Sequence, residues 1–511
     1  MAAASLQPVE PGVGEQPSYL QILRSSALIG GATALNVIIG IARTKAIAML
    51  VGPGGIGLLG VLNSIADVAR CVAGCGVSSS GVRQIADASA NGDAARISRT
   101  VTALRRATLA LAVAGGAVVA LLAAPIANFT FGEPGHVVAV SMLALAVALR
   151  VVSDSQSALL QGLRRIGDLA RVNVVGAALG TAGAVAAVAA LGQAGIGPAL
   201  VALAAASLAA SWWYARQVKV VPASLIGGEV RQLLALGTAF MGSGLLTLGA
   251  AFVVRLLVLR QAGLDAAGLY QAAWTLGGLY VGFVLQAMGA DFYPRLVGAI
   301  GTPLQANRLV NEQTQASLLL AGPGVLATLT LAGPVIALFY TGEFIAAVDL
   351  LRWIVLGMAM RIITWPLGYV IVASNRKAIF FGADLAWTLV NLGLSWWCLR
   401  AFGLDGAGIA FFTSYVFHGF MVYAIARRLT GFRWSRENLR VGALFVASIG
   451  LVFVSFAFMP PAFALVAGAL VTAVGSAWAL HHLARLVPPD QLPRQVRSVA
   501  IWVASLGKQR K

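Results

Sequence analysis

The sequence predicts an all-α polytopic membrane protein, and three observations lead to this fold class. Of the 511 residues, 59% are hydrophobic and only 11% are charged, whereas soluble domains carry about 25% charged residues. The mean hydropathy is +0.85, and the apolar residues are gathered into runs long enough to cross a bilayer. A pattern of glycines and arginines also recurs at one fixed spacing. These observations exclude a soluble globular protein.

A membrane-spanning helix needs ~20 mostly apolar residues, and we read about fourteen such runs from the sequence. They lie at 22–50, 56–80, 107–131, 137–160, 172–191, 198–215, 232–260, 268–290, 313–340, 348–373, 379–401, 408–426, 441–458 and 462–482. The connections between them are too short for a soluble domain. About fourteen transmembrane helices are therefore predicted.

The distribution of Lys and Arg over the connections predicts the orientation. Alternate connections contain neither residue: 51–55, 132–136, 192–197, 261–267, 341–347, 402–407 and 459–461. The other set is basic, as in 81–106, 427–440 and the C-terminal KQRK. Cytoplasmic loops carry the excess of Lys and Arg, so we expect both termini in the cytoplasm. The net charge of +18 is explained by these loops and by attraction to anionic lipid, so no nucleic-acid partner is predicted.

Two stretches of the chain repeat with the same spacing. GPGGIGL (52–58) resembles GLDAAGL (263–269), and GQAGIGPA (192–199) resembles GLDGAGIA (403–410), each displaced by 211 residues. Arg150 and Arg361 are related by the same offset, and so are Arg165 and Arg376. An even number of spans in each copy makes the repeats parallel. Parallel halves around a central cavity are an architecture of alternating-access transporters.

This repeat divides the chain into four parts. We expect a disordered cytoplasmic tail at 1–20, a six-helix bundle at 21–220, and a second six-helix bundle at 221–430. Two appended transmembrane helices and a basic cytoplasmic tail occupy 431–511.

Cations inside the predicted spans are the candidate functional residues, because a charge at membrane depth costs at least ~2.5–3.5 kcal/mol. They are Arg43, Lys45, Arg70, Arg150, Arg255, Arg260, Arg352, Arg361 and Arg400. Four have structural explanations. Arg260 and Arg400 lie at span ends and can snorkel. Arg70 and Arg352 each follow an aspartate (Asp67 and Asp349) by three residues and can pair with it along the helix.

The remaining five are Arg43, Lys45, Arg150, Arg255 and Arg361. Asp154 could pair with Arg150, but Trp365 stands at the equivalent place after Arg361, so local pairing does not explain both. We expect these cations to line a water-filled cavity and to bind an anion, since Arg and Lys match phosphate. The alternative is that backbone carbonyls or partners from other helices hold them. Arg43 and Lys45 are about 200° apart on a helix, and we favour Lys45 as the inward-facing one.

Three acids inside the spans, Asp67, Asp154 and Asp384, are expected to be partners of these cations or a proton or sodium coupling site. No metal site or cofactor is predicted, since the cysteine pair Cys71 and Cys75 lacks further ligands. An enzyme is also not predicted. The outer connections are short, contain His136 as their one histidine, and offer no acid–base or metal cluster.

Residues 25–87, from SSALIGG to QIAD, resemble the start of the bacterial O-antigen translocases, the Wzx-type flippases of lipid-linked oligosaccharides. The GPGGIGLLG turn after a first span that contains Lys45 carries most of the likeness. It extends over about residues 20–430. That family belongs to the polysaccharide transporters of the MOP superfamily.

The resemblance implies a function and a site. Such proteins move an undecaprenyl-pyrophosphate-linked oligosaccharide across the bacterial inner membrane for surface polysaccharide assembly. Lys45, Arg255 and Arg361 would correspond to the cations of the family's cavity. Membrane lipids, a polysaccharide polymerase and a chain-length regulator are the implied partners. Spans 13 and 14 are a departure, and they keep a lipid II flippase as an alternative. A multidrug exporter of the same superfamily is the other alternative, although its cationic cargo would need an acidic site.

Overall fold

A computed structural model describes residues 19–218 and 227–486, and these ranges fold into fifteen α-helices. They are α1 (Tyr19–Gly74), α2 (Val77–Ala90), α3 (Ala94–Leu121), α4 (Ala123–Phe131), α5 (Val137–Gly162), α6 (Ile166–Leu191), α7 (Ile196–Ala215), α8 (Gly227–Ala299), α9 (Pro303–Thr330), α10 (Ala332–Phe339), α11 (Val348–Ala373), α12 (Lys377–Phe402), α13 (Asp405–Thr430), α14 (Arg436–Phe458) and α15 (Pro461–Leu486). The all-α membrane fold is confirmed. The N-terminal and C-terminal tails predicted at 1–20 and after 486 lie outside the described residues, apart from 19–20.

Ten helical segments in the described part are long and apolar enough to cross a membrane, or eleven if the bent pair α9–α10 is one span. Three of the ten are 44, 50 and 60 residues long, about twice what a single crossing needs. Each of these three contains two of the predicted spans. The count of fourteen stays a prediction.

The two longest helices, α1 and α8, are each broken at a glycine. Gly52 has φ 64° and Gly263 has φ 87°, and only glycine adopts such angles without a steric cost. The breaks divide the helices into α1a (19–51) and α1b (53–74), and into α8a (227–262) and α8b (264–299). The glycine-rich turns that carry the sequence repeat are therefore the points where these two long helices are broken.

The offset of 211 reappears in the helix boundaries. α5 and α11 begin and end 211 residues apart, and so do α6 and α12. Residues with left-handed φ follow the same rule: Arg164 pairs with Asn375, and Gly192 with Gly403. This agreement supports the predicted repeat. We call α1–α7 the first half and α8–α13 the second half.

The two halves touch where α1b and α8b begin. Three pairs of residues with this same offset face each other there: Gly54 and Asp265, Gly57 and Gly268, and Gly60 and Gln271. Two positions related by a two-fold axis can touch each other only when both lie close to that axis. The contacts therefore locate a pseudo-two-fold axis between α1b and α8b, at the end of the molecule that carries the two glycine breaks.

Two predicted spans, 107–131 and 313–340, are not continuous helices. The first is divided between α3 and α4, and the second between α9 and α10, which are bent by 79°. Proline explains both breaks, because it has no N–H to donate to the carbonyl four residues earlier. Pro125 lies four residues after the end of α3, and Pro334 four residues after the end of α9.

The structure adds one helix that the hydropathy reading missed. The helix α2 is polar on one side and buries Val77, Ile85 and Ala88 among others, so its mean hydropathy is too low for a span. The appended helices α14 and α15 pack on α9. There the amide of Asn438 donates to the Asn311 carbonyl at 2.7 Å, and Phe445 lies against Gly322.

Candidate functional site

A polar pocket lies inside the first half, between α1, α5, α6 and α7. Its volume is about 240 Å³. The polar side chains that line it are Arg43, Arg150, Ser153, Asp154, Ser157, Asn173 and Ser207. Gly176 keeps α6 close to α7, since a Cβ at this position would lie 3.3 Å from the Cα of Ser207. The pocket therefore brings together two of the five predicted anion-binding cations, from α1 and α5.

An ion-pair network lies next to this pocket. Arg70 donates to Asp154 at 2.8 Å and to Asp67 at 3.4 Å. The guanidinium of Arg150 is 4.0 Å from Asp67, and the expected pair between Arg150 and Asp154 is not formed. The pair of Arg70 with Asp67 is confirmed. Because Arg70 engages both carboxylates, the structure favours the interpretation of Asp67 and Asp154 as ion partners; a coupling role for them stays a prediction.

Arg43 borders two pockets at once. It lines the polar pocket of the first half and also a space of about 170 Å³ between the halves, formed by α1a, α8b and α10. Among the described residues, no acid lies within ion-pair distance of its guanidinium, and Arg150 is close enough for electrostatic interaction with it. Arg43 is therefore a cation of the first half that borders both the polar pocket and the space between the halves.

Lys45 has a different environment from the one we favoured. Its Nζ donates to the backbone carbonyl of Leu338 at 2.6 Å. Leu338 lies in the last turn of α10, where carbonyls have no N–H of their own helix to accept from. Arg43 faces the pockets, and Lys45, about 200° away on the helix, reaches the second half instead. The structure thus places Arg43, and not Lys45, on these two pockets; the preference for Lys45 as the cavity-facing residue stays a prediction.

A second contact between the halves matches that of Lys45, with the donor in the second half and the acceptor in the first. Arg260, near the end of α8a, donates to the carbonyl of Phe129 in the last turn of α4, and its guanidinium lies 4.9 Å from the Phe129 ring. Each half therefore places one cation of its first span on the broken helix of the other half. The prediction that Arg260 simply snorkels misses this contact.

Arg255 is held within the second half. Its Nε donates to Gln271 at 3.0 Å and its Nη1 to the Ala251 carbonyl at 3.3 Å. Gln271 is one of the residues that touch across the pseudo-two-fold axis, where it faces Gly60. Arg255 is therefore close to the contact between the halves, with a neutral partner and no ion pair with any carboxylate that the structure describes.

Arg361 lies in an aromatic cluster of the second half, formed by Trp387, Tyr415 and His418. The ring centroids are 5.4 Å apart for Trp387 and Tyr415, and 5.6 Å for Tyr415 and His418. Arg361 is close enough to Tyr415 and His418 for electrostatic interaction, and Asp384 is close enough to Tyr415. Arg361 therefore lies in the second half and does not line the polar pocket of the first half, which we call the Arg43–Arg150 pocket.

Two residues of these sites were not singled out as functional from the sequence. Gln271 is neutral and gives no charge signal, although the repeat places it opposite Gly60. His418 lies inside a predicted span, and its repeat equivalent is Ser207, a residue of the first-half pocket. Comparing the two copies position by position would have found both.

An apolar groove lies between α9, α14 and α15, on the outside of the second half. Its volume is about 490 Å³, and Leu318, Phe445, Val471 and Trp478 are among its lining residues. Its shape and lining suit a hydrocarbon chain.

Comparison with known proteins gives a family and two relatives. Residues 46–349 match a family described as polysaccharide biosynthesis protein. The lipid III flippase of Escherichia coli (strain K12) is 23% identical over 412 residues, which cover 78% of this chain and 96% of that protein. The lipid III flippase of Shigella flexneri matches to the same extent.

Among solved structures, the inward closed conformation of the lipid II flippase MurJ matches with a TM-score of 0.67 and 14% identity, over 89% of this chain and 99% of that one. The inward-facing conformation of a multidrug resistance MATE family transporter of the MOP superfamily matches with a TM-score of 0.61 and 16% identity, over 77% and 95%. These likenesses establish the fold of the MOP superfamily. The proteins named are flippases and transporters, in agreement with the prediction that this chain is not an enzyme.

Proposed function

This chain belongs to the family of polysaccharide biosynthesis proteins, and from that membership we propose that it is a flippase for a lipid-linked glycan. The cargo we propose is an oligosaccharide repeat unit on undecaprenyl pyrophosphate, for surface polysaccharide assembly. It would cross the bacterial inner membrane from the cytoplasmic to the outer leaflet, with both termini of the protein in the cytoplasm. A polysaccharide polymerase and a chain-length regulator are the expected partners.

The observation that carries this proposal is Arg43. Its guanidinium borders the space between the halves and has no carboxylate partner in the described part of the chain. Holding an unpaired cation away from water is costly unless an anion reaches it. A pyrophosphate supplies that anion, and the planar guanidinium matches it with two parallel hydrogen bonds. An organic cation as cargo would meet repulsion at this point, which argues against a multidrug exporter.

The proposed transport requires the halves to move. The space of about 170 Å³ between them is smaller than the roughly 300–1,000 Å³ of pockets for drug-sized ligands, and a pyrophosphate with sugars is larger still. The halves are in contact along the pseudo-two-fold axis. The headgroup would therefore enter after α1 and α8 separate at one end, and would leave after they separate at the other.

Arg255 and Arg361 would act in this movement as further phosphate contacts. Arg255 has a neutral partner in Gln271, which a phosphate can displace without leaving a carboxylate unpaired. The polyprenyl tail would stay outside, in the apolar groove of α9, α14 and α15.

Lipid II is the second candidate cargo. The structural match to the lipid II flippase covers 89% of this chain, a share that residues 1–430 alone cannot supply, so it extends at least into α14. Lipid II carries the same polyprenyl pyrophosphate with a different headgroup. The charges of the site therefore fit both, and the sugars decide between them.

The test is a flipping assay with purified protein in vesicles, comparing a fluorescent undecaprenyl-pyrophosphate oligosaccharide with fluorescent lipid II. We expect the oligosaccharide to be flipped and Arg43→Gln to reduce the rate at least tenfold. Arg400→Gln is the matched control, because Arg400 lies 4.0 Å over the Trp396 ring at the end of α12. Flipping of lipid II alone would move the assignment to the second cargo. Normal flipping by Arg43→Gln would reject the phosphate contact.

A further inference from the structure

The polar pocket of the first half carries an inference that goes beyond the proposed cargo. It is enclosed by four helices of one half, α1, α5, α6 and α7, and Arg150 and Asn173 line it from α5 and α6. A cargo that is passed from one face of the membrane to the other must lie between the halves. This pocket is therefore in the wrong place for a flipped headgroup, and its 240 Å³ is too small for one.

The charges around the pocket do not balance. Three guanidiniums, of Arg43, Arg70 and Arg150, are grouped with two carboxylates, of Asp67 and Asp154. Arg70 is hydrogen-bonded to both carboxylates, and Arg150 is left with a 4.0 Å approach to Asp67. Arg43 has no ion pair among the described residues. One positive charge thus remains without a counter-charge in a membrane-embedded site, where burial without a partner is costly.

Neutral hydrogen-bond donors surround the unbalanced charge. The hydroxyls of Ser153, Ser157 and Ser207 and the amide of Asn173 line the same space. The Asn173 amide makes no hydrogen bond to any residue that the structure describes. The Ser207 hydroxyl already donates to the Leu203 carbonyl, and the Ser153 hydroxyl is paired with Ser211. The guanidiniums, the Ser157 hydroxyl and the Asn173 amide are therefore the donors from which an anion would accept.

Comparison with the second half shows that the pocket depends on the side chains of the first half and is not a general feature of the fold. The equivalents of Arg150, Asn173, Gly176 and Ser207, at the offset of 211, are Arg361, Asp384, Trp387 and His418. There the rings of Trp387, Tyr415 and His418 pack against one another, where the first half has small side chains. The second half has a carboxylate, Asp384, near Tyr415, which forms no ion pair with any residue that the structure describes. The first half thus has small residues at the positions that rings fill in the second half.

We infer that the Arg43–Arg150 pocket binds a compact inorganic anion, of the size of chloride or phosphate, that is separate from the cargo. The anion sits between the two guanidiniums and accepts from Asn173. Arg43 also borders the space between the halves, so the anion would hold this guanidinium from the pocket side and leave its other side to the proposed cargo contact. A volume of 240 Å³ leaves room for such an ion with several waters, each of which takes ~30 Å³ in the liquid.

The test uses the purified full-length protein without lipid-linked cargo, so it does not depend on the proposed function. Sodium chloride or phosphate replaces sodium gluconate at constant ionic strength, and the Tm and the ³⁵Cl NMR line width are measured. We expect the Tm to rise with the logarithm of the anion concentration above the dissociation constant, and the protein to broaden the chloride line. Arg150→Gln should lose both effects, and Asn173→Leu should weaken them at least threefold in affinity.

Arg361→Gln is the matched control and should retain both effects, because its pocket is filled by rings. If Arg150→Gln does not fold, Arg150→Lys and Asn173→Leu are measured instead. Each of these two variants must then bind chloride more weakly than the wild type. Equal Tm shifts and equal line widths in wild type, Arg150→Gln and Arg361→Gln would overturn the inference.

Discussion

Gly57 and Gly268 lie 211 residues apart in the chain and pack backbone against backbone where the two halves meet. A Cβ on Gly57 would lie 2.9 Å from the Gly268 nitrogen, and a Cβ on Gly268 would lie 3.1 Å from the Gly57 nitrogen. The missing side chain of each glycine thus leaves the space that the backbone of its repeat equivalent occupies. The glycines that mark the repeat in the sequence are also the residues that allow the halves to close.

Substituting these glycines should prevent that closure. Gly57→Ala or Gly268→Ala places a methyl group against backbone atoms, which cannot move aside as a side chain can. We expect a loss of stability of about 1–3 kcal/mol, typical of overpacking, and a lower flipping rate at unchanged membrane abundance. Because both changes disturb one contact, the double variant should be less destabilised than the sum of the two. Thermal unfolding measures this.

Gly249→Ala is the control for that experiment. It lies in α8, and nothing is within 4 Å of a Cβ built there. If Gly249→Ala loses as much stability as Gly268→Ala, the effect comes from alanine in the helix and not from the contact between the halves.

The crossed contacts of Lys45 and Arg260 should hold the same end of the molecule together. Lys45→Met removes the donor to the Leu338 carbonyl, whereas Lys45→Gln keeps an N–H₂ donor without the charge. If Lys45 acts through this carbonyl, Gln restores part of the function that Met loses. If Lys45 binds the pyrophosphate, as its place in the predicted site suggests, Gln is as inactive as Met.

Distances between spin labels on the two halves at this end measure the contact directly. We expect Lys45→Met combined with Arg260→Met to increase the population of longer distances. An unchanged distance distribution in the double variant would show that the crossed contacts do not restrain the halves.

The ion pairs of Arg70 predict a structural effect of Asp154. Asp154→Asn leaves Arg70 with Asp67 alone, which Arg150 also approaches, so the protein should unfold at a lower temperature. The exchange of Arg70→Asp with Asp154→Arg should recover part of that loss. A change in the sodium or proton dependence of flipping in Asp154→Asn, with the Tm unchanged, would instead support the coupling site that the sequence left open. Asp384→Asn is measured in parallel, since Asp384 makes no ion pair among the described residues.

The groove of α9, α14 and α15 predicts a dependence on the length of the lipid tail. Ser448 lines the groove, and Ser448→Trp should fill part of it. We expect a higher apparent KM for an undecaprenyl substrate and an unchanged KM for an analogue with a two-isoprene tail. Val446→Trp is the control, because Val446 is exposed and does not line the groove. Equal effects on both tail lengths would exclude the groove as the tail site.

Local features of the sequence were sufficient for the helices and the repeat. The span predicted at 348–373 is helix α11 to the residue, because an apolar run between turn residues satisfies its backbone internally in a membrane. The breaks at Leu122 and Leu331 were missed, although Pro125 and Pro334 mark them. Hydropathy alone does not register a lost backbone hydrogen bond.

The sequence by itself determined the all-α membrane fold, the offset of 211 and the short list of charges that need an explanation. Only the tertiary structure decided which groups meet those charges. Arg70 takes the carboxylate of Asp154 from a helix 84 residues away, and Lys45 reaches a carbonyl 293 residues away. Burial and helical periodicity are properties of neighbouring residues and can be read along the chain. Partners across helices depend on how the halves pack. A cation inside a membrane donates to the acceptor that this packing brings within reach.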